Sequence, residues 1–143
     1  MPWRSLVLRY PLIHPPLLGA LARAGHGSVV LLADGNYPYA TAVSATAETV
    51  WLNLRPGQIP VDDVLETLLG VVPVEAARVM ATDTGEEPGI YERFRSLLPD
   101  ISLQPLGRGD FYAVARGPEL AVAVATGEQR LYANILLTLG VVQ

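Results

Sequence analysis

The chain has 143 residues and a formal net charge of −4 at pH 7, with no cysteine. That length supports one domain with a sizeable core, so a single domain over residues 1–143 is expected. The missing cysteine excludes disulfides, thiolate nucleophiles and Cys-ligated metals, and the scattered positive charges form no basic stripe for nucleic acid.

In chain order, residues 4–9 alternate weakly, as an arm or an edge strand would. Residues 17–24 read as a short helix, with Pro15 and Pro16 where a helix start tolerates proline and Gly25 where a helix ends. Residues 28–33, Ser-Val-Val-Leu-Leu-Ala, form a short apolar run. Its length and valines predict a strand buried on both faces. Asp34-Gly-Asn-Tyr-Pro38 is turn chemistry directly after it. Residues 49–54 read as a second strand and 55–60 as a loop. Residues 61–69 carry Val61, Val64, Leu65, Leu68 and Leu69 at helical spacing.

Residues 76–81 read as a strand, 82–89 as a polar loop and 90–98 as a helix with Ile90, Phe94, Leu97 and Leu98 on one side. A short strand at 102–106 precedes a loop at 107–110. Periodicity does not choose between helix and strand for 111–115. Residues 120–125 are a second buried strand, broken at Thr126-Gly127. Residues 135–139 and 141–142 suit a strand interrupted at Gly140. Strands alternating with helices predict an α/β fold, a single-domain sandwich with a largely parallel central sheet flanked by helices.

No apolar run approaches the roughly 20 residues that span a bilayer. Met1-Pro-Trp-Arg4 lacks the pattern of a secretory leader, so a cytoplasmic protein is the expectation. Half the residues are hydrophobic and the mean hydropathy is +0.31. Such an excess suits surface buried between subunits. All ten basic residues are arginine. Without lysine there is no amine for a Schiff base with a carbonyl substrate. His14 and His26 are the two histidines, and no metal-binding spacing surrounds them.

Open α/β sheets take ligands beyond the carboxyl ends of their strands, where Asp34 lies. His26 precedes the same strand, at its other end. A strand rises roughly 3.3 Å per residue, so the two need not touch within one chain; they could meet across a subunit interface or flank a ligand. Asp34 also suits a turn former or helix cap, and His26 a partner for a helix dipole. Gly25-His-Gly27 is no dinucleotide fingerprint, since position 30 is Val. Arg108, between two glycines, can reach a carboxylate or sugar hydroxyls, or simply be solvated. Tyr132-Ala-Asn134 can present a hydroxyl and an amide from one loop.

In that order and spacing, several blocks resemble the fucose mutarotase and ribose pyranase family. They are Pro15 to Gly27 ending in Gly-His-Gly, Asp34-Gly-Asn-Tyr-Pro38, Ile90 to Leu98, Arg108-Gly-Asp-Phe-Tyr112, Ala125-Thr-Gly-Glu128 and Tyr132-Ala-Asn-Ile-Leu-Leu137. The resemblance covers almost the whole chain and is least secure over residues 39–88. It implies an isomerase that interconverts anomers or ring forms of a free monosaccharide such as L-fucose or D-ribose. It implies His26 as proton donor, contacts to the sugar from Asp34, Arg108, Tyr132 and Asn134, and Tyr112 as a further catalytic candidate. It also implies ring-like homo-oligomers, often decamers, with sites near subunit interfaces.

Four features depart from the family pattern or mix its branches. Ser28 stands where fucose mutarotases usually have Asp, and Gly35 where the family has Ala. Tyr-Ala-Asn is pyranase-like while Arg108 with Phe111-Tyr112 is fucose-like, which leaves the sugar open. Mutarotation moves protons on and off a hemiacetal, which suits a histidine titrating near neutrality. It needs no metal, nucleotide or covalent intermediate, so no cofactor is expected, and neither nucleic acid nor membrane is an expected partner. The alternatives are a non-catalytic sugar-binding or regulatory module, action on another small carbonyl compound, and a purely structural oligomer.

Overall fold

The computed structural model describes residues 7–143. The elements run α1 (Pro15–Arg23), β1 (Val29–Ala33), β2 (Glu48–Leu52), α2 (Val61–Leu69), β3 (Val74–Met80), α3 (Ile90–Leu97), β4 (Leu103–Leu106), α4 (Arg108–Ala115), β5 (Leu120–Thr126) and β6 (Ile135–Leu139). They build one six-stranded sheet in the order β2-β5-β1-β6-β3-β4. Strands β2, β5 and β1 are mutually parallel, as are β3 and β4. β6 runs antiparallel to both β1 and β3. The sheet is therefore largely parallel, with one reversed strand inserted in the middle.

All five residues of β1 are buried, as a strand covered on both faces requires. Its side chains alternate between two apolar layers. Val30 and Leu32 pack with α1, α2 and α3 through residues such as Leu17, Leu65 and Phe94. Val29, Leu31 and Ala33 pack with Phe111 and Ala115 of α4 and with Tyr37 and Ala42. Three helices thus cover one face, and α4 with the segment after β1 covers the other.

His14 caps α1, its Nδ1 accepting the Leu17 N–H at 3.4 Å. Both prolines fall inside the first turn, where their missing N–H groups cost nothing. α2 matches its sequence reading residue for residue. The loop expected at 107–110 is instead the start of α4, capped by Gly107, so Arg108 is a first-turn helical residue. Gly-Arg-Gly offers no apolar periodicity, and only Phe111 and Ala115, one turn apart, are buried. The second strand ends at Leu52 rather than at position 54, because residues 54–58 close a turn of their own. No strand resumes after Gly140, whose N–H donates to the Pro73 carbonyl at 2.8 Å. Of the stretch 4–9, residues 4–6 lie outside the described residues and 7–9 form no strand.

Candidate active site

The reversal of β6 determines which residues meet. Its first residue, Ile135, pairs with Leu32 of β1 on one side and Val79 of β3 on the other. The start of β6 therefore lies at the edge where its parallel neighbours end. Asn134, one residue earlier, arrives beside Asp34, one residue after β1. The Asn134 Oδ1 accepts the Asp34 N–H at 2.8 Å in a buried hydrogen bond. Arg108, two residues after β4, reaches the same edge.

These residues line a cavity of about 240 Å³, with Asp34, Arg108, Tyr112, Tyr132 and Asn134 among its walls. Five of the six expected site residues thus share one enclosure. Asp34 is 3% exposed and makes no ion pair among the described residues. Burial pushes its carboxyl above the usual range. Backbone N–H groups of Asn36, Ala133 and Tyr37 and the Asn134 side chain pull partly back. Its Oδ1 accepts the Asn36 N–H at 3.0 Å, so Asp34 both forms the turn and faces the cavity.

Tyr132 has φ 59°, a left-handed conformation that costs a bulky residue roughly 1–3 kcal/mol. Its carbonyl accepts the Asn134 N–H at 2.8 Å, a tight reversal that brings both side chains to one cavity. Tyr112 is held edge-on to Tyr37, with centroids 5.5 Å apart, while the Arg116 guanidinium lies 5.7 Å from its ring centre. The cavity walls thus offer hydrogen-bond donors on Arg108, Tyr132 and Asn134 and an acceptor on Asp34.

Two structural residues had no sequence signal. Asp83 accepts from Arg108 Nη2 at 3.4 Å and from the Tyr132 hydroxyl at 3.5 Å. It sits in what reads only as a polar loop. Met80, the last residue of β3, lines the cavity floor as a core side chain does. Asn36 and Tyr37 also line it and read in sequence as turn residues alone.

His26 does not join this cavity. It lies beyond the opposite end of β1, a five-residue strand that alone spans roughly 16 Å. There its Nε2 is 3.1 Å from Glu75 Oε1. The dipole reading also gives way, since α1 ends at Arg23 and the partner of His26 is the Glu75 carboxylate on β3. Among the described residues, no three His, Asp or Glu side chains gather as a metal site.

Residues 8–142 match the model of the RbsD / FucU transport protein family. The mouse protein named fucose mutarotase is 33% identical, over 90% of this chain and 89% of its own. A D-ribose pyranase of Paracidovorax citrulli is 30% identical, over 93% and 97%. The crystal structure of the fucose mutarotase from Streptococcus pneumoniae in complex with L-fucose superposes with a TM-score of 0.81. It is 29% identical, over 94% of this chain and 98% of that one.

Proposed function

Since the chain belongs to the RbsD / FucU transport protein family, we propose that it is a cofactor-independent sugar mutarotase acting on a free monosaccharide at the Asp34 cavity. The observation that carries this is the Asp34 carboxylate itself. It is almost fully buried, lacks a cationic partner among the described residues, and faces a sugar-sized space with Arg108, Tyr112, Tyr132 and Asn134. Its oxygens accept backbone N–H groups but meet no cation among the described residues, and a carboxylate keeps further lone pairs with which to accept a ligand's hydroxyls. Relatives named for fucose and for ribose support a sugar as that ligand.

Mutarotation breaks the bond between the anomeric carbon and the ring oxygen. The ring oxygen gains a proton, the anomeric hydroxyl loses one, and a carbonyl forms. Rotation about the adjacent carbon–carbon bond exposes the other carbonyl face, and reclosure reverses both transfers. In this reading His26 donates the proton, and Asp34 accepts sugar hydroxyls and fixes the ring. Arg108, Tyr132 and Asn134 supply donors. Tyr112 relays the second proton between the anomeric hydroxyl and solvent water, which takes it on opening and returns it on reclosure.

His26 reaches the cavity of a neighbouring protomer in a ring-like homo-oligomer. Leu131 supports this: it lines the cavity yet is 66% exposed, a large apolar side chain suited to cover by another chain. No helix of the described residues is long and apolar enough to cross a membrane, and the cytoplasm is the proposed location.

Saturation transfer between anomeric proton resonances tests the reading across fucose, ribose, galactose and glucose. At least one sugar is expected to exchange faster with the protein than in buffer, and Asp34→Asn to remove most of the gain. No acceleration for any sugar would overturn it. One observation favours a second reading, a binding module without turnover: an isolated protomer's cavity holds no imidazole. That reading predicts sugar-induced thermal stabilisation with no accelerated exchange.

A further inference from the structure

A second cavity, of about 410 Å³, adjoins the first at the same edge of the sheet. Asn36 lines both. The remaining walls come from the ends of β2 and β5 and include Asn53, Arg55, Glu128 and Gln129. This space is larger than the one that suits a single sugar ring, and nothing in the mutarotase reading uses it.

Its walls are fixed. The turn at residues 54–58 is closed by the Leu54 N–H to the Gln58 carbonyl at 2.9 Å and the Gln58 N–H to the Arg55 carbonyl at 2.8 Å. It is bound to the strand end by the Gly57 N–H donating to the Gly127 carbonyl at 2.7 Å and the Gly127 N–H donating to the Ile59 carbonyl at 3.2 Å. A Cβ on Gly127 would lie 1.9 Å from the Gln58 carbonyl oxygen, so the two backbones touch.

The charge of the cavity is equally defined. Glu128 is 4% exposed, and its carboxylate is already committed. It accepts from Arg130 Nη2 at 2.6 Å, the Gln129 N–H at 2.9 Å and the Val61 N–H at 3.2 Å. The Thr126 hydroxyl donates to the Ala33 carbonyl at 2.7 Å. By contrast, the side chains of Asn36, Asn53, Arg55 and Gln129 make no hydrogen bond with any described residue. One unpaired guanidinium and three amides thus remain as donors around a fixed space.

That set suits an anionic oxygen group, which a guanidinium fork meets through two parallel hydrogen bonds. A second sugar ring would want an aromatic face to stack on, and no aromatic residue lines this cavity.

We infer that the substrate carries an anionic substituent, a phosphate or a carboxylate, that passes over Asn36 to the Arg55 guanidinium while the reducing end sits beside Asp34. This rests on the mutarotase reading and narrows its monosaccharide, still with a free reducing end, to one that bears an anionic group: an aldose phosphate or a sugar acid. Arg55, Asn53 and Gln129 are then specificity-determining residues. They contact the far end of the substrate and no reacting atom.

The test measures anomer exchange, above the enzyme-free background, for D-ribose, D-ribose 5-phosphate, D-galactose, D-galactose 6-phosphate and D-galacturonic acid. An anionic derivative is expected to show a kcat/KM about ten- to hundredfold above its neutral parent, the effect of one charge-assisted contact. The phosphate and carboxylate arms identify which anion is taken. Arg55→Ala is expected to remove that advantage and leave the neutral sugars unchanged. Because Arg55 is exposed and its side chain has no partner, the variant is expected to fold, and circular dichroism checks this. Asn53→Ala should act in the same direction, more weakly. Turnover of neutral sugars with no preference for any anion would overturn the inference and leave the mutarotase reading standing. A preference that survives Arg55→Ala would overturn the role of Arg55. Exchange of no sugar at all would overturn both.

Discussion

Asn134 and Asp34 stand 100 residues apart in sequence, and the Asn134 side-chain oxygen accepts the Asp34 backbone N–H at 2.8 Å inside the protein. The contact joins the turn after β1 to the loop before β6, and so joins the two halves of the cavity. Asn134→Ala leaves that buried N–H without a partner. Loss of such a bond costs about 1–3 kcal/mol, readable as a lower urea midpoint at unchanged m-value. Sugar exchange should fall as well, since Asp34 loses its orientation. Unchanged stability would mean that water replaces the amide.

Asp34 trades stability for its role. Burial raises its carboxyl above the ordinary value of 3.8, so the folded state holds the proton more tightly than the unfolded chain. The destabilisation is absent below pH 3.8 and grows as pH rises through the raised folded value, above which it is complete. Asp34→Asn removes the charge while its side-chain oxygen can still accept the Asn36 N–H. The variant should therefore be more stable than the parent at pH 7, and the difference should shrink as the pH falls towards 3.8. Sugar turnover should drop by about ten- to hundredfold, the effect of losing a hydrogen bond to a charged group. Thermal melts across pH, with exchange rates on the same samples, read both effects.

The parts of this design that were legible in sequence are those fixed by local pattern. β1 and β5 are unbroken apolar runs, and α2 carries its apolar residues at helical spacing, so period alone gives their type. Asp34 stands just past the carboxyl end of β1, where ligands gather in open sheets, whereas Tyr132 and Asn134 precede β6 and meet Asp34 only because that strand is reversed. The start of α4 was not legible, because Gly-Arg-Gly has poor helix propensity and the helix is held by Phe111 and Ala115 packing on the sheet. Asp83 was not legible either. Its contact with Tyr132 spans 49 residues and follows from the reversed insertion of β6, a property of topology. His26 was legible in both respects: its motif is local, and its position before β1 sets it at the opposite end of that strand from Asp34. What no local pattern gives is whether another chain carries it to an Asp34 cavity.

The separation of His26 from Asp34 makes the proposed oligomer testable through catalysis. The His26 side chain is 58% exposed, so His26→Ala should change stability by less than about 0.5 kcal/mol. It should slow exchange by roughly 10²–10⁴-fold, the usual contribution of a positioned acid or base. If His26 serves a neighbour's cavity, unfolding and refolding His26→Ala together with Asp34→Asn should restore part of the activity, because mixed assemblies contain sites intact at both positions. Each variant refolded alone should stay slow. Failure of the mixture, with mixed oligomers verified by native mass spectrometry, would exclude a shared site.

Glu128 should oppose Asp34 in its pH response. Burial raises its carboxyl, but hydrogen bonds from the Arg130 side chain and from the Arg130 and Val61 N–H groups, with the Arg130 charge, outweigh this and leave it below its ordinary value of 4.5. A depressed folded value gives stability that is full above pH 4.5 and is lost as pH falls through the folded value. Glu128→Gln should be less stable at pH 7 by about 1–3 kcal/mol, and should lose that part of the parent's acid sensitivity. In parallel melts at pH 7 and in steps below pH 4.5, the difference between parent and variant should shrink as the pH falls. An unchanging difference down to the acid limit of folding would mean that packing, rather than charge, sets the effect.

Gly127 tests whether the turn at residues 54–58 is truly fixed. A Cβ there would meet the Gln58 carbonyl oxygen at 1.9 Å and the Arg55 carbonyl oxygen at 2.5 Å, both backbone atoms. No side-chain rotation can relieve such a clash, so either the turn moves or the strand end does. Gly127→Ala should cost about 1–3 kcal/mol or more, as overpacking does, and amide exchange should quicken at Gly57 and Gly127, whose N–H groups pin the two segments. If the turn alone moves, the cavity beside Asp34 survives and neutral-sugar exchange persists, whereas the Arg55 cavity loses its shape. Protection unchanged at both glycines would mean that the backbones do not touch as tightly as their geometry requires.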